Sequence, residues 1–462
     1  MASSPSSAGG FRKDETLFSP PDGLNPYSDN WTYEQAAHLL RRTTFGPLPE
    51  EIRHSVDIGL DATLEALLSE GPPPEPPLNF GYPGDPNVPV GESWVEAPYI
   101  RDPEVLRYRQ VSLRSWTMER LLGERMSIRE KMTLFWHNHF AVSEIPDPKY
   151  LYRYIHLLRM QSLGNFREIV KQITVDPAML VFLNGNQNTR QAPNENYARE
   201  LLELFTIGKG PLAGAGDYTT FTEQDVREIS RVLTGWRDQG FYALSEGPVQ
   251  ARFVPRLHDT GPKTLSHRFD YRVIYDQGEY EYQALVDIIF ENPEVARFIC
   301  RKLYRWFVYY HIDEAVEQNV IAPLAQLMIA SDYELRPVLR ALLGSEHFYD
   351  TALRGSMIKD PIDFAISSIK QLQVAFPAQI GPRYLANIGL FQLTRLMQME
   401  YFNPPDVAGW KAYYQEPLYY RIWINASTLN LRSDFMGGLI GEGFRLAGFR
   451  LGVEPLVLLQ WV

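Results

Sequence analysis

Cysteine is almost absent from this chain of 462 residues: Cys300 is the single one. One thiol cannot close an internal bridge. No Cys-x-x-Cys pair exists to hold zinc, an iron–sulfur cluster or covalent haem. Cys300 lies in "ARFICRKLYRWF", where it reads as a small apolar core residue rather than a nucleophile. Long apolar runs are absent too. No stretch of 18 apolar residues appears, so no membrane span is expected. The opening "MASSPSSAGGFRKDETLFSPPDG" has no apolar centre, so no signal peptide is visible and a cytoplasmic location is the reading from this segment. Excess positive charge is also missing. The net charge of −11 gives no footprint for nucleic acid. Gly-x-Ser-x-Gly, Walker A, Gly-x-Gly-x-x-Gly and His-Glu-x-x-His patterns do not occur, which removes support for serine hydrolase, nucleotide, flavin and zincin chemistry.

What is present is ordinary globular material with many rings. Apolar residues make up 45% and charged residues 22%, enough to bury a large core without staples. The 26 Tyr, 24 Phe and 9 Trp suit either an aromatic core or a groove for a sugar or peptide. Residues 1–28 are rich in Ser, Gly and Pro and are expected to be a disordered tail. Residues 71–100 are too proline-rich for helix or central strand and read as an extended arm. Apolar spacing predicts helices over about 31–46, 103–123, 127–140, 148–162, 165–174, 193–208, 281–310, 313–330, 335–343, 359–373 and 383–397, with two short helices in "LPEEIRHSVDIGLDATLEALLS" and one capped by Thr222 in "FTEQDVREISRVLTGW". Residues 237–280 alternate and favour β-branched and aromatic types, as in a hairpin or long ordered insertion. No fixed-period repeat is visible. The expected fold is mainly α, with residues 29–462 forming one large irregular helical domain and a small β-like insertion.

Four stretches can carry chemistry. In "NENYARELLELFTIG" (194–208), Asn196, Glu200 and Glu203 share one helical stripe, and Arg199 pairs by spacing with Glu195 and Glu203. A solvated edge of ion pairs is the commoner arrangement. A carboxylate cluster facing inward would instead bind metal or hold one carboxyl protonated as a general acid. In "KMTLFWHNHF" (131–140), His137 and His139 are two apart. They diverge on a helix, but could converge on one metal if the helix ends near Asn138. In "RLHDTGPKTL" (256–265), His258 and Asp259 could act as acid/base groups or ligands, and Lys263 could anchor an anion. Alternatively Asp259 makes an Asx-turn into Gly261. In "FNPPDVAGW" (402–410), Trp410 is either a stacking platform or a buried ring locking a rigid loop, the latter being commoner.

These stretches, in this order, resemble the bacterial family called domain of unknown function 1800. So do "AAHLLRRTTFGP", "YTTFTEQDVREISRVLTGW", "ARFICRKLYRWFV" and "PPDVAGWKAYYQEPLYYRIWINASTL". The resemblance runs over roughly residues 31–435. It implies an extracytoplasmic, polysaccharide-related role, because relatives are often exported. It also implies a partner of the sulfatase-like domain of unknown function 1501 family. Two departures bear on this. "LSHRF" follows "GPKT" in place of the family's usual Phe-Leu-Gly, and the sequence ends at "VLLQWV" where relatives tend to continue.

The expected site follows. Glu200, Glu203, His258 and Asp259 are its catalytic candidates. Asn196, Arg199, Lys263 and Trp410 would hold substrate, and His137 and His139 a divalent metal. The expected function is a hydrolase or lyase acting on a polysaccharide or similar polar substrate. The alternative is a non-catalytic assembly partner of a sulfatase-like protein, with these groups as a buried structural network.

Overall fold

The structure, a computed structural model, describes residues 23–446 and 448–454. Most of the tail expected over 1–28, and the end of the chain after 454, lie outside these residues. The described part of the tail is built into the fold. Leu24 is buried, and Tyr27 N–H donates to the Gly344 carbonyl at 2.8 Å, so ordered structure begins before residue 29.

The chain is mainly helical. The first half contains α1 (Tyr33–Thr43), α2 (Pro49–Leu67), α3 (Pro103–Gly123), α4 (Arg129–His139), α5 (Pro148–Met160), α6 (Phe166–Thr174), α7 (Pro177–Phe182), α8 (Glu195–Glu200) and α9 (Glu223–Val232). The second half contains α10 (Glu281–Phe290), α11 (Glu294–Phe307), α12 (Glu314–Val316), α13 (Ala322–Ala330), α14 (Leu335–Leu343), α15 (Pro361–Gln371), α16 (Ile380–Leu396) and α17 (Ala426–Ile440). Many begin as capping chemistry dictates. Asp102, Asp147, Asp176 and Asp360 each precede a proline and accept a first-turn N–H, satisfying a donor the helix leaves free. The predicted 281–310 segment splits into α10 and α11 because "ENP" at 291–293 breaks it.

Among the described residues, strands occur only as antiparallel pairs: β1 (Leu212–Gly214) with β2 (Asp217–Tyr218), β3 (Trp236–Gln239) with β4 (Gln250–Phe253), β5 (Lys263–Thr264) with β6 (Val273–Ile274), and β7 (Phe444–Leu446) with β8 (Phe449–Leu451). The insertion expected over 237–280 is thus two hairpins, β3–β4 and β5–β6. The proline-rich arm is extended, and it is folded onto the core. Trp94 is buried with its indole N–H on Ser112 Oγ at 2.9 Å, and Asn79 is buried among the arm's own carbonyls. One apolar core runs from Leu24 to Val453, and Cys300 lies inside it. Among the described residues no helix is long and apolar enough to cross a membrane.

Candidate functional site

The helix that carries Glu200 and Glu203 is not uniform. After Glu200 it widens into a π-helical turn over Leu201–Thr206, where Ile207 and Gly208 N–H both reach the Leu202 carbonyl. Such a turn releases carbonyls from the helical ladder. Two are taken up at once. His139 Nε2 lies 3.0 Å from the Phe205 carbonyl and therefore carries the proton there. Lys302 Nζ reaches the Leu204 carbonyl and His139 Nδ1, both at 3.1 Å. His139 does meet this helix, but on its backbone and not on its carboxylates.

His137 is equally committed. Tyr154 donates its hydroxyl proton to the Phe140 carbonyl at 2.7 Å, so it must accept from His137 Nδ1 at 3.0 Å. Nε2 then accepts the Phe402 N–H at 3.1 Å. Burial pushes His137 down to about 3 and His139 well below the ordinary imidazole value. α4 continues to His139, and both nitrogens of each ring already have protein partners, so the structure does not bring the two rings to one open metal position.

The 402–410 loop is stitched to the same helix. Trp410 N–H donates to Asn138 Oδ1 at 2.9 Å, and the buried Trp410 ring meets His137 edge-on at 5.5 Å. Trp410 is therefore a lock on the loop, not a platform for substrate. Gly409 permits the approach. It has φ +89°, and a Cβ there would stand 2.3 Å from the Asn138 carbonyl oxygen. Gly409→Ala is expected to cost at least about 2 kcal/mol, read as a lower urea midpoint. A change under about 0.5 kcal/mol would show that loop and helix are not tied in this way.

The carboxylates of α8 and the π turn lie near the surface. Glu203 pairs with Lys209 at 3.3 Å, Arg199 grips Glu223 with two bonds of 2.8 and 2.7 Å, and Asn196 is exposed. Glu200 is half-buried, and burial, then Glu203 and Asp406, raise its carboxyl. Asp259 makes the Asx-turn to Gly261 at 2.9 Å and is clamped by Arg231 at 2.8 and 3.1 Å. Lys263 does anchor an anion, but an internal one: its ammonium sits 2.5 Å from Glu281 Oε1 in a wholly buried pair. His258 Nε2 faces the other oxygen, Oε2, at 3.1 Å. The residues named from sequence are thus not brought to one place: His137 meets Trp410, His139 meets Lys302 and the π turn, Arg199 and Glu203 pair with Glu223 and Lys209, Asp259 with Arg231, and His258 and Lys263 with Glu281. Among the described residues no side-chain hydrogen bond or ion pair joins the α8 carboxylates to His258.

A different place has the form of a binding site. A cavity of about 460 Å³ opens between α1, α4, α11, the start of α15 and the segment 411–423. That is the size of a small-molecule pocket. Helix α1 brings Arg41 and Arg42 to it, α4 brings Lys131, and α15 brings Asp360 and Asp363. Trp306, Tyr413 and Trp423 form a ring wall, with Trp306 and Tyr413 centroids 4.3 Å apart. Lys131 Nζ binds Asp363 Oδ2 at 2.9 Å and lies 4.1 Å from the Phe45 ring centre. Lys359 approaches the other Asp363 oxygen at 3.4 Å. Asp360 Oδ1 caps α15 through the Asp363 N–H at 2.7 Å, and Tyr413 donates to Oδ2 at 3.2 Å.

The two carboxyls are driven apart. Burial raises Asp360, and the nearby Asp363 adds to this against the pull of Lys131. Burial pushes Asp363 the same way, but Lys131 and Lys359 override it and hold the group below the ordinary range. Two neighbouring carboxyls whose surroundings push them in opposite directions are an arrangement acid/base chemistry uses. Sequence reading passed over these residues because "KDPID" at 359–363 reads fully as a helix start. The available signal was Lys131, a cation set directly before the apolar and aromatic run "MTLFW" of α4.

The stretches that line this cavity, "AAHLLRR", "KMTLFWHNHF", "RKLYRWF" and "WKAYYQEPLYYRIW", are among those that carried the family resemblance. The family model described as Protein of unknown function (DUF1800) matches residues 38–456, and the chain belongs to that family. No curated protein and no solved structure matches it.

Proposed function

We propose that the protein is an enzyme, a hydrolase or lyase, acting on an acidic polysaccharide or similarly polar anionic substrate held in the cavity at the head of α15. The observation that carries this reading is the buried Asp360–Asp363 pair on a cavity that also has cations and a ring wall. In this reading Asp360 exchanges the proton, Asp363 stays ionised, Arg41 and Arg42 attract the anionic group, and Trp306, Tyr413 and Trp423 stack against sugar faces.

Asp360→Asn is the discriminating variant. Asparagine caps a helix as well as aspartate, so the α15 start is kept while the proton is lost. Purified protein is incubated with uronate- and sulfate-bearing polysaccharides, and new reducing ends or unsaturated sugars are measured. Turnover is expected in the parent and a loss of about 10²–10⁴-fold in the variant, with little change in melting temperature. Equal turnover in both proteins would end the assignment of Asp360.

The other reading, a non-catalytic assembly partner of a sulfatase-like protein, draws support from a specific observation. Most of the histidines and acids named from sequence are absorbed by internal partners. Absence of turnover and of any thermal shift with these polymers, together with co-purification of a sulfatase-like protein, would favour it.

A further inference from the structure

We propose that His258, Asp276 and Glu281 form a binding site for a divalent transition-metal ion of the zinc class, one ligand atom coming from each. Their candidate ligand atoms all lie within 4.8 Å of one another. The site is apart from the cavity at α15, and the proposal does not rest on the function assigned there.

His258 is oriented as a metal ligand is. Thr234 spends its hydroxyl proton on the Arg231 carbonyl at 2.7 Å, and its oxygen accepts the Asp259 N–H at 2.8 Å. His258 Nδ1 must therefore donate to the Thr234 carbonyl at 2.9 Å. A histidine whose Nδ1–H is fixed on a carbonyl presents Nε2 in a set direction, which is the usual support behind a metal-bound imidazole. Nε2 points at Glu281 Oε2, 3.1 Å away, with Asp276 Oδ1 at 3.7 Å. His258 is 1% exposed and Glu281 0%, so neither is a casual surface group. The third ligand is reachable from outside. Asp276 is exposed, and a cavity of about 410 Å³ opens on His258 and Asp276. Three protein ligands and an open side leave a position for water.

The place between Nε2 and Oε2 is held by a proton. The charged neighbours are Glu281, Asp276 and Lys263, while Asp259 is held by Arg231. A metal ion entering this gap takes the Nε2 lone pair, and the proton leaves to solvent. Lys263 stays on Oε1. An ion bound there displaces the one proton held between the two atoms. A site with one imidazole and few free oxygens suits zinc better than calcium or magnesium.

The full chain, stripped with a chelator, is titrated with zinc by calorimetry at pH 7. The expected result is one saturable site, with affinity weakened roughly tenfold or more in Asp276→Asn. That variant keeps the Asx-turn from Asp276 Oδ1 to Gly278 N–H and leaves the buried pair intact. Glu281→Gln strands Lys263 and is at risk of misfolding, so the exposed residue decides. No saturable heat, or equal affinity in Asp276→Asn, would overturn the site.

Discussion

Asp363→Asn is expected to cost about 3–5 kcal/mol of stability at neutral pH. The carboxylate is buried and is the direct ionic partner of Lys131, itself buried. With an amide in its place, Lys131 keeps only the Phe45 ring and the nearby Asp360. A buried ammonium without its counter-ion is the costly case, since removing one partner leaves the desolvation of the other uncompensated. The sign of the pH dependence follows. Asp363 is held below its ordinary value in the fold, so its contribution is present above the unfolded carboxylate range and is lost as pH falls through the folded value. The gap between parent and variant should be wide at pH 7 and should narrow in acid. Urea unfolding at several pH values measures it. A constant gap, or one under about 1 kcal/mol at pH 7, would mean that the pair is solvated and that Asp363 is not a fixed charge at the cavity.

Much of the fold was legible because caps and breaks are local chemistry. Asp-Pro and Asn starts, and the Pro-rich arm, each set a boundary that depends on a few neighbouring residues. The helix over 103–123 was read to the residue, as α3. What was not legible depended on pairings between separate elements, 29 residues apart in one case and 232 in another. Glu130 and Arg159 form a buried two-bond pair at 2.6 and 2.9 Å, and Lys131 finds Asp363 from 232 residues away. No spacing within a helix announces either. The same holds for the sites. His258 and Lys263 stood out as residue types, but the group that joins them is Glu281, the first residue of α10, which reads as an ordinary acidic helix start. The π turn after Glu200 was also invisible, and it decides where His139 points.

His137→Gln is expected to lose about 2–3 kcal/mol at pH 7 and to become the more stable protein in acid. At neutral pH the ring bridges Tyr154 and the Phe402 N–H, and glutamine cannot fill both positions, so a buried donor is left without an acceptor. In acid the balance turns. Burial holds His137 near 3 in the fold against an ordinary 6.5. A depressed value means that the stabilising contribution is complete above pH 6.5 and is lost as pH falls toward 3. At about 1.4 kcal/mol per unit that window is worth on the order of 5 kcal/mol, a large share of the roughly 5–15 kcal/mol that holds a domain together. His38, pushed to about 4 by burial and Arg42, acts in the same direction. Asp176, raised to about 6 by burial, and Glu124, raised to about 8 by burial and Glu130, act in the opposite one. All three remain in both proteins and cancel in the comparison. Urea midpoints at pH 7, 5.5 and 4.5 should therefore converge and cross at about pH 4–5. Parallel curves would show that His137 is charged, or open to water, in the folded chain.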